Sequence, residues 1–256
     1  MALLGWRSRG GKPRIVPLGD SALIAEFSTQ VDLDVNARIQ RVAAAIRERA
    51  PTWVRDVVPS AAALAVHFDA NAVAALDLDA ADARIAAARQ ELRELIESCV
   101  ATAGAKGVAR EPDVLELPVC YGGEHGMDLE AVAEKTGLAP DDVIRRHAAG
   151  EHTVLMVGFA PGHPYIGGLD RKLSVPRRAT PRIRVPEGSV AIANAQTAVY
   201  PFVISGGWNI IGRTPLRIFD ERQSSPALFA PGQSVRFVPI DAREFDRLHG
   251  LRDERN

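Results

Sequence analysis

The residues best suited to chemistry lie in the second half of the chain, inside unusual Gly/Pro/aromatic blocks. The densest runs Gly158-Phe159-Ala160-Pro161-Gly162-His163-Pro164-Tyr165-Ile166-Gly167-Gly168-Leu169-Asp170. His163 is a candidate general base, because imidazole exchanges protons near neutral pH. Asn194 and Gln196 carry paired donor and acceptor groups that could orient a small amide. Tyr165, Tyr200 and Trp208 are candidate ligand walls, and barrel packing explains them equally well. The Gly pairs Gly167-Gly168 and Gly206-Gly207 would let backbone N–H groups approach a ligand closely, though most glycines in such blocks only make turns. Arg213 sits in Gly-Arg-Thr-Pro, where a buried guanidinium needs a ligand or an interface as partner. His125 reads as an exposed loop residue, and His147 and His152 as residues explained by a helix end.

No Gly-x-x-x-x-Gly-Lys-Ser/Thr phosphate loop, Gly-x-Ser-x-Gly elbow or His-Glu-x-x-His zinc motif occurs. Asp77-x-Asp79 is better read as helix capping than as a metal pair, so no metal site is expected. The chain thus shows no complete catalytic set, which suits a subunit whose site another protein finishes.

Two kinds of region must position these residues. Short β-rich runs at Arg14–Val16 and Ala22–Phe27 flank a turn at 18–21, and a strand pair follows at Trp53–Val58 and Leu64–Phe68. Val35, Ile39, Val42 and Ile46 fall at helical spacing, with Asp32 or Asp34 as cap. Asp79 and Asp82 open a second helix with the stripe Ile85, Ala88, Leu92, Leu95/Ile96 and Cys99. Ala101–Glu111 is small, Gly-containing and polar, a candidate linker. The pattern predicts a small α/β N-terminal domain with two amphipathic helices over residues 1–110.

Beyond it come a strand at Val114–Val119, a short helix at Asp128–Lys135 stopped by Gly137, and another between Pro140 and Gly150. From His152 onward helical periodicity gives way to short β-rich runs: Thr153–Val157, Ile183–Val185, Val190–Ala193, Ala198–Tyr200, Ile210–Ile211, Leu216–Phe219 and Val235–Pro239. Many short strands with Gly/Pro turns predict a sandwich or barrel over residues 111–256.

The 256 residues are 46% apolar and 25% charged, so a folded globular chain with an ample core is expected. A formal net charge of −1 provides no field for nucleic acid or an anionic membrane. The apolar run at Ala2–Leu4 is too short for a signal peptide and no membrane span is evident, so the reading is cytoplasmic. Cys99 and Cys120 lack metal-type spacing, and Cys99 reads as inert packing.

Further blocks complete the pattern: Tyr121-Gly122-Gly123-Glu124, Ala179-Thr180-Pro181-Arg182, Arg184-Val185-Pro186-Glu187-Gly188-Ser189-Val190, Gln196-Thr197-Ala198-Val199-Tyr200-Pro201, Gly206-Gly207-Trp208-Asn209-Ile210-Ile211-Gly212-Arg213-Thr214-Pro215 and Pro231-Gly232. In this order and spacing the chain, from about Pro13 through Pro239, resembles the family of 5-oxoprolinase B subunits. That family is also known as allophanate hydrolase subunit 1 and includes a kinase-inhibitor member. The resemblance implies an α+β N-terminal domain followed by a mostly β, cyclophilin-like barrel. Departures include His163 where the family usually has Phe, Asn194 or Ala198 where it has Gly, and a less polar Phe202-Val203-Ile204-Ser205. They bear on the substrate rather than on the fold.

The resemblance implies ATP-dependent opening of 5-oxo-L-proline to L-glutamate, with ATP and Mg2+ bound in an assembled complex and A-type and C-type subunits as partners. Such chemistry needs donors that clamp phosphate oxygens and stabilise developing charge. Arg182, Arg184 and Arg213 are the candidate clamps. The expected ligand-contacting set is Tyr165, Gly167, Gly168, Arg182, Asn194, Gln196, Tyr200, Gly207, Trp208 and Arg213, with His163 and Arg213 as catalytic candidates. Alternatives are a urea-carboxylase-type carboxyltransferase subunit, which would need a separate biotin carrier, and an inhibitor of a sensor histidine kinase.

Overall fold

The computed structural model describes residues 11–75, 80–103 and 114–253. Met1–Gly10, the Asp77/Asp79 pair and the linker from residue 104 onward lie outside the described residues. The chain divides into two compact units, Met1–Arg110 and Glu111–Asn256.

The first unit is built from β1 (Arg14–Pro17), β2 (Ala22–Glu26), α1 (Leu33–Arg49), β3 (Val54–Pro59), β4 (Ala63–Phe68), α2 (Ala70–Ala74) and α3 (Ala81–Thr102). Its sheet is antiparallel, in the order β1-β2-β4-β3. Asp32 is the cap of α1: its carboxylate accepts from the N–H groups of Asp34 (2.9 Å) and Val35 (3.1 Å). The predicted stripes face inward. Ile39, Val42 and Ile46 of α1 join Ala88, Leu92, Ile96 and Cys99 of α3 and Leu23, Leu64 and Val66 of the sheet in one apolar core. Helix α3 runs through Thr102, so the first residues assigned to the linker are helical.

The second unit contains β5 (Val114–Tyr121), α4 (Leu129–Thr136), α5 (Pro140–Ala148), β6 (His152–Val157), β7 (Pro164–Gly167), β8 (Arg182–Val185), β9 (Ser189–Ala193), β10 (Gln196–Val199), β11 (Ile204–Gly206), β12 (Asn209–Arg213), β13 (Ser234–Ile240) and α6 (Ala242–Asp253). Seven strands close a barrel in the order β10-β7-β6-β13-β5-β12-β9. Closure leaves the barrel without an exposed sheet edge at either end of the strand order. β13 runs parallel to β5, and the other barrel pairs are antiparallel. β8 and β11 form a separate two-stranded ribbon. Gly137, at φ 67°, ends α4 as expected. The α+β-then-barrel class expected from the sequence is the observed one.

Three details differ from expectation. Leu216–Phe219 is not a strand: Phe219 makes an isolated bridge to Ala227, and the prolines at 215 and 226 withhold ladder donors on both sides. β7 and β11 arise from blocks that read as turns. Helical structure returns after β13, because Asp241 caps α6 by accepting from the Glu244 N–H at 2.8 Å. Among the described residues no helix is long and apolar enough to cross a membrane.

Candidate functional site

Several blocks converge on one recess of about 270 Å³ in the barrel unit. The loop after β6 brings Phe159 and His163, and β7 brings Tyr165. Tyr200 directly follows β10, Ser205 and Gly206 come from β11, and Gly207-Trp208 leads into β12. Arg177, Arg178 and Pro181 arrive from the segment before β8. Beneath them lies an apolar cluster of Val185, Ala191, Ala193, Ala198, Tyr200, Trp208 and Ile210, distinct from the main barrel core.

The aromatic rings pack edge to face, apart from the tilted His163–Tyr165 pair. His163 stands 5.0 Å from Tyr165, 5.3 Å from Tyr200 and 5.4 Å from Phe159, centroid to centroid, and Tyr165 stands 5.9 Å from Trp208. Gly206 is required here, because a Cβ would lie 2.2 Å from the Tyr200 hydroxyl oxygen. Phe159 is 69% exposed and holds φ at 74°, a strained conformation for a bulky residue.

His163 is 3% exposed. Burial pushes its pKa down to about 4, against a small upward effect of its own backbone, so the ring is neutral at physiological pH. Its Nδ1 has no hydrogen-bond partner among the described residues, and so no group orients it as a base. Burial likewise raises the pKa of Tyr200.

Behind the recess, Asp128 is buried and both of its oxygens are saturated. Arg182 donates from Nη1 (2.7 Å) and Nη2 (2.8 Å), Arg178 from Nη1 (2.7 Å), and the Ile210 N–H at 2.8 Å. Burial alone would raise its pKa. The Arg182 and Ile210 hydrogen bonds, with the charges of Arg182 and Arg178, hold it below the usual carboxylate range. The Arg178 backbone N–H also donates to the Gly207 carbonyl at 2.7 Å, fixing the arginine segment against the Gly-Gly turn. Arg177 is exposed, with its guanidinium 5.9 Å from the Trp208 ring centroid.

Of the expected contact set, Tyr165, Tyr200, Gly207 and Trp208 meet in this recess, together with the catalytic candidate His163. The rest do not line it. Arg182 is clasped by Asp128. Gly167 pairs with Thr153, and Gly168, at φ 90°, meets the Glu151 carbonyl so closely that a Cβ would lie 2.0 Å away. Asn194 forms the β9–β10 turn at φ 53°, with its N–H donating to the Val175 carbonyl at 2.6 Å. Gln196 opens β10 opposite Ala193. Arg213 donates to the Glu187 carbonyl at 2.7 Å and lies over Phe245 at 5.7 Å. Arg184 is exposed on β8.

Sequence reasoning overlooked Asp128, Arg177, Arg178 and Phe159. The available signal was the Arg-Arg pair bracketed by Pro176 and Pro181.

His147 lies in the last turn of α5 and His152 opens β6, so they flank the helix end as expected, but hydrogen bonds in the barrel interior hold them as well. Both are buried: Tyr121 and Thr197 hydroxyls flank the His147 ring at 2.8 and 3.1 Å, and His152 Nε2 donates to the His147 carbonyl at 2.7 Å. A second, larger groove of about 620 Å³ between α5 and β13 shares no residue with the recess. Among the described residues, no three His, Cys, Asp or Glu side chains are grouped to hold a metal.

Comparison with known proteins places this geometry in a family. The chain is 35% identical over 243 residues to the B subunit of 5-oxoprolinase from Bacillus subtilis, covering 95% of this chain and 98% of that protein. The solved structure of TTHA0988 is 30% identical with a TM-score of 0.69, over 86% of this chain and 40% of that one. Kluyveromyces lactis urea carboxylase superposes with a TM-score of 0.69 over 96% of this chain and 23% of its own, at 17% identity, which is a likeness of fold alone. This chain therefore spans less than half of either solved relative. Residues 13–229 match the family model described as carboxyltransferase domain, subdomain C and D, and the chain belongs to that family.

Proposed function

We propose that this chain is the B subunit of an ATP-dependent 5-oxoprolinase, hydrolysing 5-oxo-L-proline to L-glutamate together with A-type and C-type subunits in the cytoplasm. The observation that carries this reading is the end-to-end correspondence with the Bacillus subtilis protein of that name, which leaves almost no part of either chain unmatched. The recess supports it from the side of geometry. Its wall combines aromatic carbon with arginines, a surface suited to a small anionic ligand.

The recess does not fit a whole nucleotide. About 270 Å³ falls below the roughly 300–1,000 Å³ of pockets that enclose drug-sized ligands. The buried carboxylate behind the recess, Asp128, is saturated by two arginines and a backbone N–H, which leaves it no oxygen for Mg2+. This recess is therefore read as a wall for a small ligand, with ATP and its metal bound elsewhere in the assembled complex.

The test is reconstitution of the three chains. ATP-dependent glutamate release from 5-oxo-L-proline is expected. Its absence, beside an active homologous set, rejects the assignment. A second reading, transfer of a carboxyl group to an amide such as urea, is favoured by the shared fold with urea carboxylase. It requires biotin-dependent turnover of urea in the same reconstituted system.

A further inference from the structure

The recess has an uneven distribution of charge. Its walls are uncharged: Tyr165, Tyr200, Trp208 and a neutral His163. Its mouth is cationic. Arg177, Arg178 and Arg182 stand there or just behind, and the carboxylate bonded to them is Asp128, which serves Arg178 and Arg182. Three guanidinium groups against one carboxylate leave two positive charges beside an apolar hollow. Arg177 has no carboxylate within ion-pair distance among the described residues; it lines the recess with its guanidinium 5.9 Å from the Trp208 ring centroid.

We propose that the recess binds a small ring bearing one carboxylate, with the ring against Tyr165 and Trp208 and the carboxylate on Arg177. A guanidinium presents two parallel N–H donors that match a carboxylate, so a single free arginine suffices. A guanidinium also matches phosphate, but the backbone N–H cradles that commonly complete a phosphate site are not what this recess presents. Here the Gly207 carbonyl is turned to the Arg178 N–H and the remaining surface is largely aromatic. Arg178 and Arg182 act at one remove: Asp128 locks them, and their excess charge strengthens the field at Arg177. The choice of ring, a five-membered lactam, rests on the function proposed above.

The experiment is an NMR titration of the full chain, reading the Trp208 indole N–H, which is assigned with Trp208→Phe. 5-Oxo-L-proline, 2-pyrrolidinone (the ring without its carboxylate) and inorganic phosphate are compared at up to tens of millimolar. The indole is expected to shift with 5-oxo-L-proline, with at least tenfold weaker responses to the other two. Arg177→Gln should weaken 5-oxo-L-proline binding at least tenfold, and Arg177→Lys less. No shift, an equal response to pyrrolidinone or phosphate, or unchanged binding by Arg177→Gln overturns the proposal.

The two claims fail separately. Arg177-dependent binding in a chain whose reconstituted complex makes no glutamate keeps the site and removes the function. Turnover with an unchanged KM in Arg177→Gln does the reverse.

Discussion

The N-terminal unit and the barrel unit bury different chemistry. Among the described residues of the first, Asn36 is the buried polar side chain, and its amide donates to the Ser60 carbonyl at 3.0 Å at the edge of an apolar core. The second encloses Asp128, His147, His152, His163, Thr197 and Asn209 within or beside its apolar clusters. Burying such groups costs free energy unless each finds a partner. The barrel supplies partners for Asp128 and His147, and among the described residues Nδ1 of His163 has none. An apolar core needs only its own packing. The polar interior of the barrel unit positions a charged, aromatic recess, and that makes this unit sensitive to pH and to single charge removals.

The largest expected effect follows from the Asp128 clasp. Asp128→Ala leaves two guanidinium groups and the Ile210 N–H without their acceptor and should cost about 3–4 kcal/mol, at the low end for a broken buried pair because both arginines retain some solvent exposure. Leu92→Ala in the first unit should cost a similar amount by leaving a cavity, about 2–5 kcal/mol. Chemical denaturation compares the totals. The contrast lies in ligand binding at the recess: Asp128→Ala, which releases Arg178 and Arg182 beside it, should change 5-oxo-L-proline binding, and Leu92→Ala should leave it intact.

Acid comes next. His147, His152 and His163 have pKa values lowered by burial, so the unfolded chain binds more protons than the folded one below about pH 6.5. Their contribution is complete above that pH and is lost as pH falls toward the folded values. For His163, with a folded pKa of about 4, the loss by pH 5 is about 2 kcal/mol. Hydrogen exchange on the full chain should show amide protection in the barrel unit falling between pH 6.5 and 5, once corrected for intrinsic rates. An equal fall in both units breaks the comparison.

Smaller effects probe the recess itself. Gly206→Ala pushes a methyl group into the Tyr200 hydroxyl and should cost about 1–2 kcal/mol while narrowing the recess; thermal melting and ligand titration report the two consequences. Phe159→Gly relieves the positive φ and should stabilise by about 0.5 kcal/mol, a gain limited by glycine's extra chain entropy. It should weaken ligand binding only slightly, since Phe159 points largely to solvent.

The difference between the units also decides what could be read from the sequence. In the first unit each signal is local. The apolar spacing of α1 and α3 and the Asp32 cap sit within one or two turns of what they control. In the barrel unit the deciding contacts are distant. Asp128 reads as the start of a short helix, and its actual partners lie 50 and 54 residues away. Tyr165, Tyr200 and Trp208 were identifiable as candidate walls because large aromatics among Gly and Pro are conspicuous. Arg213 was equally conspicuous, yet a carbonyl and Phe245 of its own unit take it up. β7 was hidden because Gly and Pro dominate its block, and α6 because its apolar stripe is a sparse Phe245, Leu248 and Leu251 among charged residues.

Everything functional here depends on the aromatic–arginine recess working as one wall of a shared site. Glutamate release from 5-oxo-L-proline and ATP, by complexes assembled with wild-type chain or with Trp208→Ala and matched for subunit content, tests that dependence directly. Turnover by the wild type with at least a tenfold loss in the variant is the predicted result. Equal turnover by the two complexes would contradict it.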